Sequence, residues 1–291
     1  MTKKIFLTTL KTAVSHYPSY FLKTFGLLWG FIEPIIALAS TTLATESIKL
    51  TYGQLFVFSI FISLVWLMID GILVTGFLKQ SISIKSNGFD TNIIIEFGNL
   101  FKQEGWKAIP VNDFFDSIVD GKHISKKTLH GLMLTTHWGG HIEDWNTQVE
   151  SDLVNNSEFG HEQRASGKCK RYAIGTTCST SKDEHKFLCV ALTHTDVSNL
   201  ETKATPSDLY QAVIGLLKKA RSICGNEPLS IPLMGSGLSR VGIKSNPLIN
   251  LIVTAIIEET KVNKVTNEIR IILPEARLSE ISLTAIQKIW S

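Results

Sequence analysis

The stretch Ser230–Ile243, SIPLMGSGLSRVGI, decides how the chain is read. It starts as a short apolar strand, passes through Gly-Ser-Gly and leads through a polar loop towards a helix. Gly235 and Gly237 lack a Cβ, so the main chain turns sharply and a ligand can come close to it. Consecutive N–H groups in such a turn form a concave nest for an anion, usually phosphate. Asn246 is expected to cap the following helix and Pro247 to open it. A glycine turn between strand and helix can also be purely structural, so the rest of the chain has to decide.

Working outward, Thr205–Ile223 reads as an amphipathic helix with Thr205 as N-cap and Pro206 first. Leu209, Val213, Leu216, Leu217 and Ala220 form its buried stripe. After the Gly-Ser-Gly loop come an apolar helix, Pro247–Glu259, a buried strand, Glu268–Leu273 (EIRIIL), and a closing helix, Ser279–Trp290. Upstream, Ser81–Ser86, Asn92–Phe97, Lys107–Val111 (KAIPV), Arg171–Thr177 and Lys186–Leu192 (KFLCVAL) read as strands. The last of these lacks polar alternation, as in a buried parallel sheet. Gly139–Gly167 is polar and reads as loop with one helix. Strand and helix alternate through residues 81–291, which predicts a three-layer α/β/α domain with a mainly parallel sheet.

The first 80 residues are different. Residues 1–19 are basic and fit an interfacial helix or a plain terminus. Two apolar runs follow, at about 20–44 and 55–78, each long enough to cross a bilayer of roughly 20 helical residues. Together residues 20–80 read as a transmembrane helical hairpin. A cleaved leader fits poorly, because the first run is too long and a second follows it. Lysines cluster before the first run and after the second (Lys79, Lys85), so both ends and the large C-terminal part are expected in the cytoplasm. This predicts a multi-pass protein of the cell inner membrane or plasma membrane. Glu33 and Asp70 are ionisable groups within the runs; they either line a helix contact or pore, or sit near an interface. Gly26 and Gly30 form a Gly-x-x-x-Gly pair that permits close helix packing.

With 29 basic and 26 acidic residues the net charge is only +3, which argues against nucleic acid as a partner. The four cysteines have no metal-ligand spacing and are expected as reduced thiols. His137 and His141 in HWGGH have helical i, i+4 spacing, but Gly139-Gly140 opposes a helix there, and no metal site is expected. No nucleophile–base set stands out, so no catalytic residue is assigned. In a parallel sheet, ligands bind beyond the carboxyl ends of the strands. Two loops qualify there: Gly235, Ser236, Gly237 and Leu238 for a diphosphate, and Asn112, Asp113 and Phe114 after Lys107–Val111 for a ribose or base.

IPVNDFFDS (109–117) resembles the strand and Asn loop of macro domains, usually AxVNAAN. PLMGSGLSRVGI (232–243) resembles their phosphate loop, usually PxxGTGxxG. TLHG (128–131) and YAIGTT (172–177) look like the central region of the same family. The resemblance covers roughly residues 81–291. With the hairpin ahead of it, the chain is similar to the transmembrane–macro effectors of type II Thoeris anti-phage systems. That resemblance implies a receptor with no cofactor that binds an ADP-ribose derivative made by a partner TIR-domain enzyme. Binding would then trigger homo-oligomerisation, damage to the lipid bilayer and abortive infection. The alternative is a membrane-tethered ADP-ribosyl hydrolase. SIVDGKHIS (117–125) stands where hydrolytic macro domains carry glycines, and Gly98-Asn99 where a Gly-Asp contacts adenine; both departures favour a receptor.

Overall fold

In the computed structural model, the described residues are 3–32, 34, 52–74, 76, 78–85, 90–139, 141–156, 159–237, 241–278 and 280–290. They form two compact units, Met1–Gln80 with Glu275–Lys288, and Ser81–Pro274 with Ile289–Ser291.

The first unit opens with helix α1, Lys3–Leu27, which runs on through Pro18 into a π-helical turn, Leu28–Ile32. The basic segment and the start of the first apolar run are therefore one helix. Glu33 and most of the remainder of that run lie outside the described residues. Helix α2, Tyr52–Ile69, continues into a second π-helical turn, Asp70–Val74. Over Phe56–Val74 it is long and apolar enough to cross a membrane, alone in this among the described helices. Phe58, Phe61 and Leu73 on it are 54%, 62% and 67% exposed, an apolar surface that water would not favour.

α1 packs on α2 through aromatic and hydroxyl contacts. Tyr20 meets Trp66 edge-on at 6.2 Å, and Phe21 meets Phe56 at 5.9 Å. The Ser63 hydroxyl donates to Tyr17 Oη at 3.0 Å, and the Tyr20 hydroxyl donates to Asp70 Oδ2. Asp70 thus lies on the helix–helix contact, with a donor supplied from the facing helix. Gly26 and Gly30 play no part in this contact, because a Cβ on either would meet only open space among the described residues.

The second unit holds strands β1 (Ser81–Ile84), β2 (Asn92–Phe97) and β3 (Trp106–Asn112), then helices α3 (Leu129–His137) and α4 (Ile142–Leu153). Next come β4 (Gly160–His161), β5 (Lys170–Arg171), β6 (Thr177–Lys182), β7 (His185–Thr195) and β8 (Thr202–Lys203). Helix α5 (Pro206–Ile223), β9 (Leu229–Pro232), α6 (Ser245–Val262) and β10 (Glu268–Leu273) follow; the last helix, α7 (Leu283–Trp290), has its residues up to Lys288 in the first unit. The main sheet has the order β1-β2-β10-β9-β3-β7-β6, with β8 beside β7. β2, β10, β9, β3 and β7 run parallel, while β1 and β6 are antiparallel. The mainly parallel sheet expected from the alternation is present, with antiparallel β1 and β6 at its ends.

β7 explains why its sequence lacks alternation: Phe187 to Thr193 are all buried, because helices cover both faces. Phe187, Cys189 and Ala191 join Ile109, Val111, Met133, Leu134, Trp138 and Trp145 in one core under α3 and α4. α5 packs on β7 as well. Its cap is as expected: the Thr205 side chain accepts from the Asp208 N–H and Asp208 returns a bond to Thr205, a complete capping box. Leu209, Val213, Leu216 and Leu217 are fully buried, each contributing about 1.5–3 kcal/mol.

Two expectations are corrected. The strand over Arg171–Thr177 breaks after Arg171, and β6 begins only at Thr177. Between them Gly175 has φ +91° and lies against α5, where a Cβ on Gly215 would sit 2.0 Å from the Gly175 carbonyl oxygen. The backbone must leave the extended region to pass this helix. Helix α6 starts at Ser245, with Lys244 at the N-cap and no side-chain cap bond, so Asn246 and Pro247 sit inside its first turn.

Candidate functional site

The parallel strands all end on one edge of the sheet. Between β3 and β9 the pairing covers only Trp106↔Leu229 and Lys107↔Ser230. Beyond that, β3 runs on with β7, and β9 runs on with β10. After β3 the chain moves towards β6 and β7; after β9 it moves towards β10. The two strands therefore part at a topological switch point, the place where an open α/β sheet forms its ligand crevice. The Asn112 and Gly235 loops follow these two strands.

The Gly235 loop is built from the end of β9. Leu233 N–H donates to Ile272 O of β10 at 3.1 Å, Met234 N–H to Pro232 O at 2.7 Å, and the Ser236 hydroxyl to Leu233 O at 2.9 Å. Gly235 is buried with φ +83°, and a Cβ there would lie 2.8 Å from Val241 Cγ2 and 3.1 Å from Leu248 Cδ2. Its missing side chain serves the turn itself, which has to pass over the first residues of α6. Gly237 is exposed, and a Cβ on it would meet nothing within 4 Å. The two glycines therefore do different work, one fixing the loop and one leaving its outer side open. Among the described residues no hydrogen bond engages the Gly235 or Gly237 amide. Leu238 lies outside the described residues.

The Asn112 loop is folded inward. Phe115 adopts φ 51°, unusual for a bulky residue, and is fully buried with its ring edge-on to Tyr172 at 5.5 Å. Asn112 is 6% exposed; its Nδ2 donates to Asp116 Oδ2 at 2.8 Å, and its Oδ1 accepts from the Asp116 N–H at 3.0 Å. Asp113, Phe114 and Asp116 are fully buried. Asp116 takes two bonds from Arg164, at 3.0 Å each, and a third from the Lys168 N–H at 2.9 Å. Asp113 accepts from Arg171 Nε at 2.8 Å and from the Thr195 N–H at 3.1 Å. Both guanidinium groups lie over the Phe114 ring, Arg164 at 4.2 Å and Arg171 at 4.8 Å. Arg171 also reaches Glu162 and the Thr195 carbonyl.

The Arg164–Asp116 pair is buried on both sides and Asp113 is buried against a partly exposed Arg171, so leaving either carboxylate without its arginine is expensive. They fasten residues 160–171 to the end of β3. The polar atoms of Asn112 and Asp113 are committed to this network, while His194 at the end of β7 stands half-exposed beside it. His194 Nδ1 is 3.6 Å from Asp113 Oδ2, and Nε2 is 3.4 Å from Asp208 Oδ1. Arg164, Arg171 and His194 escaped the sequence reading. The two arginines sit in or beside a polar stretch with no periodicity, and only the fold brings them to the Asn112 loop.

The HWGGH histidines are separated as the glycines suggested: α3 ends at His137, and His141 precedes α4 as its N-cap. Among the described residues no group of three or more His, Cys, Asp or Glu side chains could hold a metal ion. Nearby, burial lowers His130 to about 3, with its ring 5.5 Å from Trp145.

The comparisons with known proteins agree with this architecture. A family model described as Thoeris protein ThsA, Macro domain, matches residues 93–274. Thoeris protein ThsA of Bacillus amyloliquefaciens (strain Y2) is 26% identical over 165 residues, covering 55% of this chain. The chain spans about half the length of that curated relative, 53%. Two mutant structures of an Oceanobacillus iheyensis macrodomain, one of them with ADPR, superpose at a TM-score of 0.50 with 12% identity. Each covers 72% of this chain and 98% of its own, and at that identity the likeness is one of fold. The family match spans more than half of the sequence, including β3, the β9 loop and β10, and the chain belongs to the Thoeris protein ThsA macro-domain family.

Proposed function

We propose that the chain is a membrane-anchored effector of anti-phage defence whose macro domain is a receptor for an ADP-ribose-derived signal. The observation that carries this reading is the Gly235–Gly237 turn at the switch point, with a locked left-handed glycine, an open glycine and, among the described residues, no hydrogen bond on either glycine amide. Its N–H groups would hold the pyrophosphate. Asn112, at the end of the neighbouring diverging strand, would meet a ribose by exchanging its bond to Asp116, with Asp113 and Phe114 supporting it from behind. The partner making the signal would be a TIR-domain enzyme. The hairpin, with its exposed apolar face along α2, would be the device that acts on the bilayer, as a homo-oligomer once the signal is bound.

The inward-turned acids support binding over hydrolysis. Asp113 and Asp116 are both fully buried and paired with arginines, which leaves neither free to position an attacking water. For ligand to act as a switch between two states, it must favour the active one by about 5.5 kcal/mol for a near-complete flip. The test uses the full chain reconstituted in liposomes. Titration calorimetry with ADP-ribose should give saturable heat, and dye release should follow binding. No heat, or steady release of ADP-ribose from an ADP-ribosylated protein, would overturn the receptor reading.

A further inference from the structure

The C-terminal residues Glu275–Lys288 group with the helical hairpin. Two of their contacts, through Thr284 and Gln287, lie just after α2 ends. After the π-helical turn the exit winds back on itself, with Gly76 N–H on Asp70 O at 3.3 Å, Leu78 N–H on Gly71 O at 2.8 Å and Lys79 N–H on Gly76 O at 3.0 Å. Gly76 has φ +70° and lies directly against α7. A Cβ there would fall 1.7 Å from Thr284 Oγ1 and 2.7 Å from Thr284 Cβ, a distance no side chain can occupy. Lys79 Nζ, three residues on, donates to Gln287 Oε1 at 2.9 Å, one helical turn along α7. Leu278, Ile281, Leu283, Thr284 and Ile286 are all buried. Through Thr284 and Gln287 the segment meets the chain just after the second apolar helix ends.

The geometry points to an autoinhibitory clasp: residues 275–288 hold the exit of α2 in its resting arrangement, and the hairpin becomes active when the clasp is released. This rests on the membrane-effector reading above and adds its regulation. The clasp is joined to the candidate receptor loop by the chain itself. Leu233, the first residue after β9, donates to Ile272 O near the end of β10. One residue beyond β10, Pro274, leads straight into the clasp at Glu275. A ligand that draws the Gly235 loop towards its phosphates pulls on the strand from which the clasp hangs.

The test is basal dye release from liposomes carrying the full chain, without ligand. Gly76→Ala forces Thr284 off the exit turn and should raise basal release about tenfold, the equivalent of about 1.4 kcal/mol. Gln287→Ala removes one charge-assisted bond from a half-buried position, leaves the fold intact and should raise it about threefold. Hydrogen exchange of residues 283–288 should speed up in both variants. If Gln287→Ala speeds exchange yet releases no more dye than wild type, the clasp proposal fails. If wild type already releases dye at its maximal rate, there is no resting state and it fails too. If the variants leak and ADP-ribose does not trigger wild type, the clasp stands and the choice of ADP-ribose as signal is wrong.

Discussion

The Gly235 loop makes opposite demands on its two glycines, and a pair of substitutions reads them separately. Gly235→Ala places a methyl in a left-handed backbone, at a cost of about 1–2 kcal/mol. It also sets that methyl 2.8 Å from Val241 Cγ2 and 3.1 Å from Leu248 Cδ2. Neither neighbour can yield freely, because both are buried, and overpacking of this kind costs about 1–3 kcal/mol. The sum, about 2–5 kcal/mol, should appear as a lower midpoint of unfolding together with weaker ligand binding. Gly237→Ala has neither strain nor contact in the free protein and should match wild type in stability. Gly237→Glu keeps the fold but puts a carboxylate beside the anion. At about 4 Å each phosphate charge is then opposed by about 1 kcal/mol in water-like surroundings and about 4 kcal/mol in partly buried ones. Affinity should fall at least fivefold. The assay is thermal unfolding and calorimetry with ADP-ribose on the full chain in detergent. A Gly237→Glu protein that binds as tightly as wild type would show that this loop does not hold the phosphates. A Gly235→Ala protein with unchanged stability would show that the glycine is not needed for the turn.

Two further outcomes follow from the interior. His130 is neutral in the folded protein, because burial lowers it from 6.5 to about 3, while the unfolded chain takes up its proton below about 6.5. Stability is therefore full above that pH and falls by about 1.4 kcal/mol per pH unit as the pH drops towards 3; in urea titrations at about pH 7, 5.5 and 4.5, His130→Phe should flatten the slope. Arg164→Met leaves the Asp116 carboxylate buried without its bidentate partner and should destabilise the protein by about 3–5 kcal/mol, and Arg164→Met with Asp116→Leu should recover most of that. A single variant as stable as wild type would mean that water reaches Asp116.

The sequence by itself determined the α/β architecture, the edge on which a ligand would sit and the two loops at that edge. Those features are written in local chemistry: the Thr205-Pro206 start of α5, the apolar run of β7, the strand–glycine–helix order around Gly235. Each depends on residues a few positions apart, so each can be read from spacing. It was misled where a distant partner overrode local preference. Arg171–Thr177 reads as a strand, yet Gly175 must bend away because α5 approaches to within contact at Gly215. Asn246 reads as a cap, yet the cap is Lys244, two residues earlier, and α6 takes Asn246 in. Only the tertiary structure decided what the Asn112 loop does with its polar atoms, since Arg164 and Arg171 come from 48 and 58 residues away in sequence to meet Asp116 and Asp113. Nor could spacing reveal that Thr284 lies against Gly76. A buried ion pair and a close backbone approach are properties of two surfaces brought together, and neither surface carries the other's address in its own sequence.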